Sequence, residues 1–191
     1  MDNNDIYIHT REFIGGNATV NAYHNKSNTK QIEIMTSTDT MYKQVDIHST
    51  IGLSNTELGL CTDGRSLRVE LISVGDKGDE ITAKIMASIA LEVMDKGLQS
   101  CYYGRIYSGI IHQYDNTHDM KHVILLAPNG YWNKYRLLEF EHENIVVVWL
   151  LLVPISDAEK AFIDTNGVPA FEELLSGQTT DVTDRKRKSF L

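Results

Sequence analysis

At 191 residues, 42 % of them apolar, the chain has the length of one domain, or one domain with a small extension, and can bury a sizeable core. The formal net charge is −8, but Arg185, Lys186, Arg187 and Lys188 stand together near the C-terminus, so residues 1–183 carry 14 basic against 25 acidic side chains, a net of −11. That body repels a phosphate backbone, which disfavours non-specific nucleic-acid binding; no stretch is long enough to span a membrane, and the acidic, polar opening MDNNDIYIHT does not read as a secretory signal, so the expected location is the cytoplasm.

Residues 1–30 are weakly patterned. Phe13 and Ile14 run into the break Gly15-Gly16-Asn17, and a polar, turn-rich stretch follows. The expectation is a weakly structured N-terminal segment over 1–30, helical if anything, ahead of a folded domain over 31–178 and a basic tail over 179–191. Ile32, Ile34 and Thr36 alternate with Gln31, Glu33 and Met35 as a first strand, and residues 37–40 read as a turn. From Gln44 to Ile51, Val45, Ile47, Ser49 and Ile51 fall on one face and Asp46, His48 and Thr50 on the other, a half-buried strand with a polar face. Gly52 ends it, 52–63 form a loop, and Asp63-Gly64 turn the chain into a similar strand over Leu67–Val74. Pairing of these two strands is expected to bring Asp46, His48, Arg68 and Glu70 together on one face. They would form either a solvated set of cross-strand charges or a recognition surface.

Residues 79–96 carry the clearest helix. Asp79 is placed to cap it, Ile81, Ile85, Ile89 and Val93 recur every four residues, and Gly97 stands just past its end. Short strands are expected over 104–111, over 123–127, where Pro128, Asn129 and Gly130 follow, and within 135–140, with a polar turn at 141–144. Ile145–Pro154, reading IVVVWLLLVP, holds ten apolar residues without a charge. Its β-branched first half favours a strand buried on both faces over a buried helix. Ser156 and Glu159 form a capping box for a helix that stops near Gly167, and Pro169 suits the first turn of a second short helix ending at Gly177. The fold class is therefore α/β: one mixed sheet of about six strands, with one long helix and short C-terminal helices packed on it. The tail is either disordered or pinned by Phe190 and Leu191.

Catalytic signatures are sparse. Cys61 and Cys101 are isolated and read as two buried free thiols rather than a disulfide. His112, His118 and His122 lie among Asp115 and Asp119, yet the four-residue spacing of His118 and His122 chelates a metal only on a helix, and this stretch reads as a loop. Ser54 follows a strand but lacks the glycine pattern of a nucleophile elbow. The acid pairs Glu139–Glu141 and Glu172–Glu173 read as charged surface, and the glycines at 15–16 lack the lysine of a phosphate loop. No catalytic residue, metal or cofactor is assigned.

Three stretches together resemble the suppressor-of-fused domain family. They are Thr50-Ile51-Gly52-Leu53-Ser54 (T-x-G-L-S), Arg68-Val69-Glu70-Leu71 (R-x-E-L), and Pro154-Ile155-Ser156 followed by Glu159 and Gly167. Arg185 and Ser189 fall near the family's terminal arginine and serine. The resemblance spans residues 31–189, and the chain departs from the family at Asn55–Leu60, where relatives often carry a proline-bearing loop. It implies a mixed-sheet α/β fold without an established catalytic centre. The animal member binds a transcription factor, and single-domain bacterial relatives resemble immunity proteins that neutralise a toxin, often a nuclease. With the acidic body, the resemblance implies an immunity (antitoxin) protein that binds a cognate basic toxin. Asp46, His48, Glu57, Asp63, Arg68 and Glu70 are the candidate contacts. A non-enzymatic adaptor and a small metal-dependent hydrolase are the competing expectations.

Overall fold

A computed structural model describes residues 2–38, 44–128, 137–140, 143–179 and 181–191. Residues 39–40 of the expected first turn, Asn129 and Gly130, the start of the expected 135–140 strand and residues 141–142 lie outside these. The apolar run does form the centre of the sheet, as strand β9 (Ile145–Ile155), after α1 (Asn3–Ile14), β1 (Ala18–His24), β2 (Gln31–Thr38), β3 (Val45–Ile51), β4 (Leu60–Thr62), β5 (Arg65–Asp76), α2 (Glu80–Lys96), β6 (Ile106–Tyr107), β7 (His122–Leu126) and β8 (Leu137–Phe140), and before α3 (Asp157–Ser176).

Among the described residues one nine-stranded sheet has the order β1-β2-β3-β5-β9-β7-β6, with β4 added to β5 and β8 to β9. β5 and β9 run parallel, Leu67 beside Val146 through Ile72 beside Leu151, and the other pairs are antiparallel. A parallel neighbour needs a crossover, and α2 lies in the segment that makes it. Both faces of β9 are covered, which is why the strand has no polar alternation. Leu150 and Leu152 pack with Ile85, Met86, Ile89 and Val93 of α2. Val147, Trp149, Leu151 and Val153 pack with Ile6 and Ile14 of α1 and Ile163 and Phe171 of α3. The α/β class with one mixed sheet stands, now with helices on both faces.

Local signals place the helix ends. The Asp79 carboxylate accepts the Ile81 amide at 3.0 Å, and Gly97, at φ 64°, closes α2 by donating its N–H to the Val93 carbonyl. The Ser156 hydroxyl accepts from the Glu159 amide while the Glu159 carboxylate accepts from the Ser156 amide, which completes the capping box of α3. Gly167 (φ 84°, ψ 167°) is non-helical and breaks α3 two residues before Pro169, so α3 consists of two short helical segments that meet where the sequence places the first stop.

Several expectations change. Residues 1–30 are not weakly structured: α1 is capped by Asp2 and buries Ile6, Thr10 and Ile14, and β1 pairs along its full length with β2. β1 carries no apolar alternation because it is largely exposed, and its backbone ladder to β2 holds it. The expected strand over 104–111 shrinks to Ile106–Tyr107, with turns on either side. The strand over 44–51 has no solvated polar face, because Asp46, His48 and Thr50 are buried at 7 %, 2 % and 0 % exposure. Cys61 is exposed rather than buried, and both thiols are free.

Candidate functional site

The T-x-G-L-S and R-x-E-L stretches meet at one carboxylate. β3 pairs with the second half of β5, Ser49 beside Ile72, and then leaves the sheet at Gly52, whose φ of 94° an L side chain adopts only with strain. Glu70, fully buried, fills the gap. It accepts the Thr50 hydroxyl at 2.5 Å, the Gly52 and Ser54 amides at 3.0 Å each, and the Ser54 hydroxyl at 2.6 Å. Burial pushes the Glu70 carboxyl pKa up, while these four hydrogen bonds pull it down. The group is enclosed and saturated, so its geometry serves to hold the strand-to-loop turn. Ser54 is likewise fully buried and spends its hydroxyl on Glu70, which removes it as a nucleophile.

The P-I-S stretch meets the tail at a second carboxylate. Arg187 Nη1 and Nη2 lie 2.6 and 2.9 Å from the two oxygens of Glu159, both side chains fully buried. Arg187 also donates to the Pro154 carbonyl at 2.8 Å and stacks on Phe190, 4.1 Å from the ring centroid. The Glu159 carboxylate receives the Phe190 amide as well. The two hydroxyls of Ser156 and Ser189 are 2.7 Å apart. The tail is therefore pinned to the end of β9 and the start of α3, with Arg187 as its main anchor.

The other three tail cations are also matched. Arg185 bonds Asp79 (Nε 2.9 Å) and Asp115, Lys186 pairs with Asp76, and Lys188 stands 3.6 Å from Asp119. Thr183, Arg185 and Arg187 point inward at 6 %, 9 % and 4 % exposure, while Lys186 and Lys188 are exposed. The tail is a strap closed by charge. Sequence reasoning left these partners unassigned; the alternation of residues 183, 185 and 187 was the available signal, hidden because the inward residues are polar.

The six candidate contacts do not converge. The ladder sets Asp46 beside Gly75 and His48 beside Ser73, and strand alternation then puts Ser73 and Gly75, not Arg68 and Glu70, on their face. Asp46 is consumed internally by the Thr38 hydroxyl and the Gly78 amide. His48 Nδ1 is 2.9 Å from the Thr36 hydroxyl. Burial thus withdraws Asp46, His48 and Glu70 from any surface a partner meets. Glu57 is exposed and takes a 2.9 Å bond from Arg68, whose side chain is only 11 % exposed. Asp63 stands on the surface at the β4–β5 turn, where it and Gly64 both have positive φ.

The histidines are dispersed among different partners. His118 Nε2 is 3.7 Å from Asp115, while His122 Nε2 meets Asp157 at 2.9 Å and its Nδ1 accepts the Gly109 amide. Among the described residues no group of three or more His, Cys, Asp or Glu side chains is placed to hold a metal ion, and no helix is long and apolar enough to cross a membrane.

Comparison with known proteins extends this geometry. Residues 28–188 match the family model described as Suppressor of fused protein (SUFU). The chain is 29 % identical over 175 residues to the immunity protein YqcF of Bacillus subtilis (strain 168), covering 92 % of this chain and 90 % of that one. Its fold is similar to the crystal structure of a SUFU homologue from Neisseria gonorrhoeae FA 1090, with TM-score 0.76 and 15 % identity over 99 % of this chain and 96 % of that chain. It is also similar to a chain of the Sufu–Fu complex, with TM-score 0.69 and 11 % identity over 97 % of this chain and 91 % of that chain.

Proposed function

Because the chain belongs to the suppressor-of-fused family, we propose that it is an immunity protein that neutralises a cognate, basic, nuclease-type toxin in the cytoplasm by stoichiometric binding, without catalysis or a cofactor. The observation that carries this reading is the likeness to an immunity protein over nine-tenths of both chains. The charge agrees with it: even with its basic strap the chain carries 26 acidic against 18 basic residues, and the strap is already neutralised internally. An acidic surface attracts the electropositive cleft that a nuclease uses for its substrate, which speeds encounter and disfavours neutral partners. Docking over that cleft excludes nucleic acid from it.

Co-expression with a candidate nuclease toxin, chosen from any encoded beside this gene, tests the proposal. The expected result is restored growth of a toxin-expressing host and a stable one-to-one complex on purification. Continued killing, with no complex at low salt, overturns it. A second reading, a non-enzymatic adaptor for a non-toxic protein, draws on the Sufu–Fu complex among the fold neighbours. Capture of a partner other than a toxin from the native cell would favour it.

A further inference from the structure

The two ends of the sheet are finished differently. At one end β6 is two residues long and leaves little free backbone to pair. At the other, β1 runs seven residues, pairs with β2 one to one without a bulge, and has no further strand beside it among the described residues. Thr19, Val20, Asn21 and Ala22 are exposed in succession, so that side is uncovered. Edge strands of this length are ordinarily guarded by a lysine, a proline, a bulge or an inward-turned charge. β1, reading ATVNAYH, has none of these, and its Val20 stands 43 % exposed.

The register tells which backbone groups are free. The Asn25 amide donates to the Lys30 carbonyl at 3.1 Å, and this pair continues the register from His24 beside Gln31. In an antiparallel ladder, bonded pairs alternate with unbonded ones. Tyr23, Asn21 and Thr19 therefore spend their N–H and C=O on β2, while Ala18, Val20, Ala22 and His24 turn theirs outward. Counting from the other side of β2 gives the same phase. The Lys77 amide donates to the Gln44 carbonyl at 2.8 Å, which turns Asp46 and His48 toward β5 and Ile47 and Ser49 toward β2. Ile34 and Thr36 of β2 are then left for Asn21 and Thr19 of β1.

This outward set is self-complementary. A two-fold axis at Asn21 places Ala18 opposite His24, and Val20 opposite Ala22, of an antiparallel second copy, and each outward amide and carbonyl of these residues finds a mate. The same pairing brings Val20 and Ala22 of both copies into one apolar strip, on the sheet face where Ala18 packs with the α1 side of the core. Charge selects the occupant. A basic toxin is drawn to acids, and β1 offers none, whereas two chains of net charge −8 repel each other least where they meet along an uncharged strip. We propose that β1 is a dimerisation edge, through which two copies of this chain join their sheets antiparallel about Asn21. A single strand edge is a small contact, so the dimer is weak and forms at high protein concentration.

Sedimentation of the chain alone, without any toxin, tests this. Monomer and dimer should exchange with a dissociation constant on the order of 100 µM, and the dimer should strengthen as salt screens the shared negative charge. Ala22→Pro removes only an outward N–H from an edge strand, so the variant should fold and dimerise about tenfold more weakly or worse. Val20→Lys should also weaken the dimer, by setting two lysines near each other across the axis. Asn21 would face its own copy in an unbonded pair, with Cα atoms about 4.5 Å apart, within reach of a disulfide. Asn21→Cys in a Cys61→Ser background should therefore cross-link to a covalent dimer on mild oxidation. A chain that stays monomeric at about 1 mM would overturn the proposal, as would a dimer that both edge variants leave intact or one that weakens with salt. Loss of toxin binding by Ala22→Pro, in a chain that is monomeric alone, would give the edge to the toxin and overturn it as well.

Discussion

His48 shows what burial does to a single titratable side chain. Its Nδ1 faces the Thr36 hydroxyl, 2 % of its surface is exposed, and desolvation lowers its pKa from the ordinary 6.5 to about 4, with Asp46 and Asp79 pulling weakly the other way. The unfolded imidazole takes a proton near 6.5 and the folded one does not. This contribution to stability is therefore complete above pH 6.5 and is lost as the pH falls toward 4, by at most about 1.4 kcal/mol per pH unit. Urea unfolding across that window should show a shallower loss in His48→Asn than in the native chain; equal slopes would show that His48 is not the group responsible. Glu70 makes a different prediction. An amide in its place turns one acceptor into a donor facing groups that already donate, so Glu70→Gln should cost about 2–3 kcal/mol in urea unfolding. A loss below ~0.5 kcal/mol would mean that the turn at Gly52–Ser54 does not depend on this carboxylate.

At the level of elements, the strap and α3 behave as one unit. Arg187 reaches across 28 positions to Glu159, and Arg185 across 106 to Asp79. Arg187→Met leaves the Glu159 carboxylate buried without its cation, and the expected cost is about 3–5 kcal/mol. The double change Arg187→Met/Glu159→Gln should cost clearly less than the sum of its single changes, because it removes the stranded charge. Denaturation of all three variants checks this, and additive losses would show that the pair is not coupled. The elements also divide by how plainly they announce themselves. α2 was readable end to end because its stripe, its Asp79 cap and its Gly97 stop are all local. β1 was not, because an exposed edge strand is held by the β2 backbone rather than by side chains. Only two residues of the strand expected at 104–111 pair with β7; the flanking apolar residues Ile110 and Ile111 are buried within turns.

For the whole molecule the deciding quantity is the distribution of charge. The body's excess of acids attracts a basic partner over a distance set by the ionic strength, about 10 Å at 0.1 M salt. The association rate with the proposed toxin should therefore fall steeply between low and physiological salt while the dissociation rate changes much less, as stopped-flow mixing can measure. A salt-independent association rate would detach the charge from recognition. The sheet supplies the rigid platform for that surface. β5 and β9 form its parallel centre, α2 covers one face, and α1 and α3 cover the other.

The amino-acid order alone determined the buried strand, the long helix, the capping box, the mixed-sheet class and the three family motifs, since each is written in neighbouring residues as a periodicity, a cap or a short spacing. It did not determine which polar residues remain at the surface. Asp46, His48 and Glu70 look like surface groups on an alternating strand, and only the packing of α2 and the return of the Gly52 turn enclose them. Nor could it match Arg185 to Asp79 and Asp115, or Arg187 to Glu159, because an ion pair between distant segments carries no local pattern and exists only once the sheet has brought those segments together.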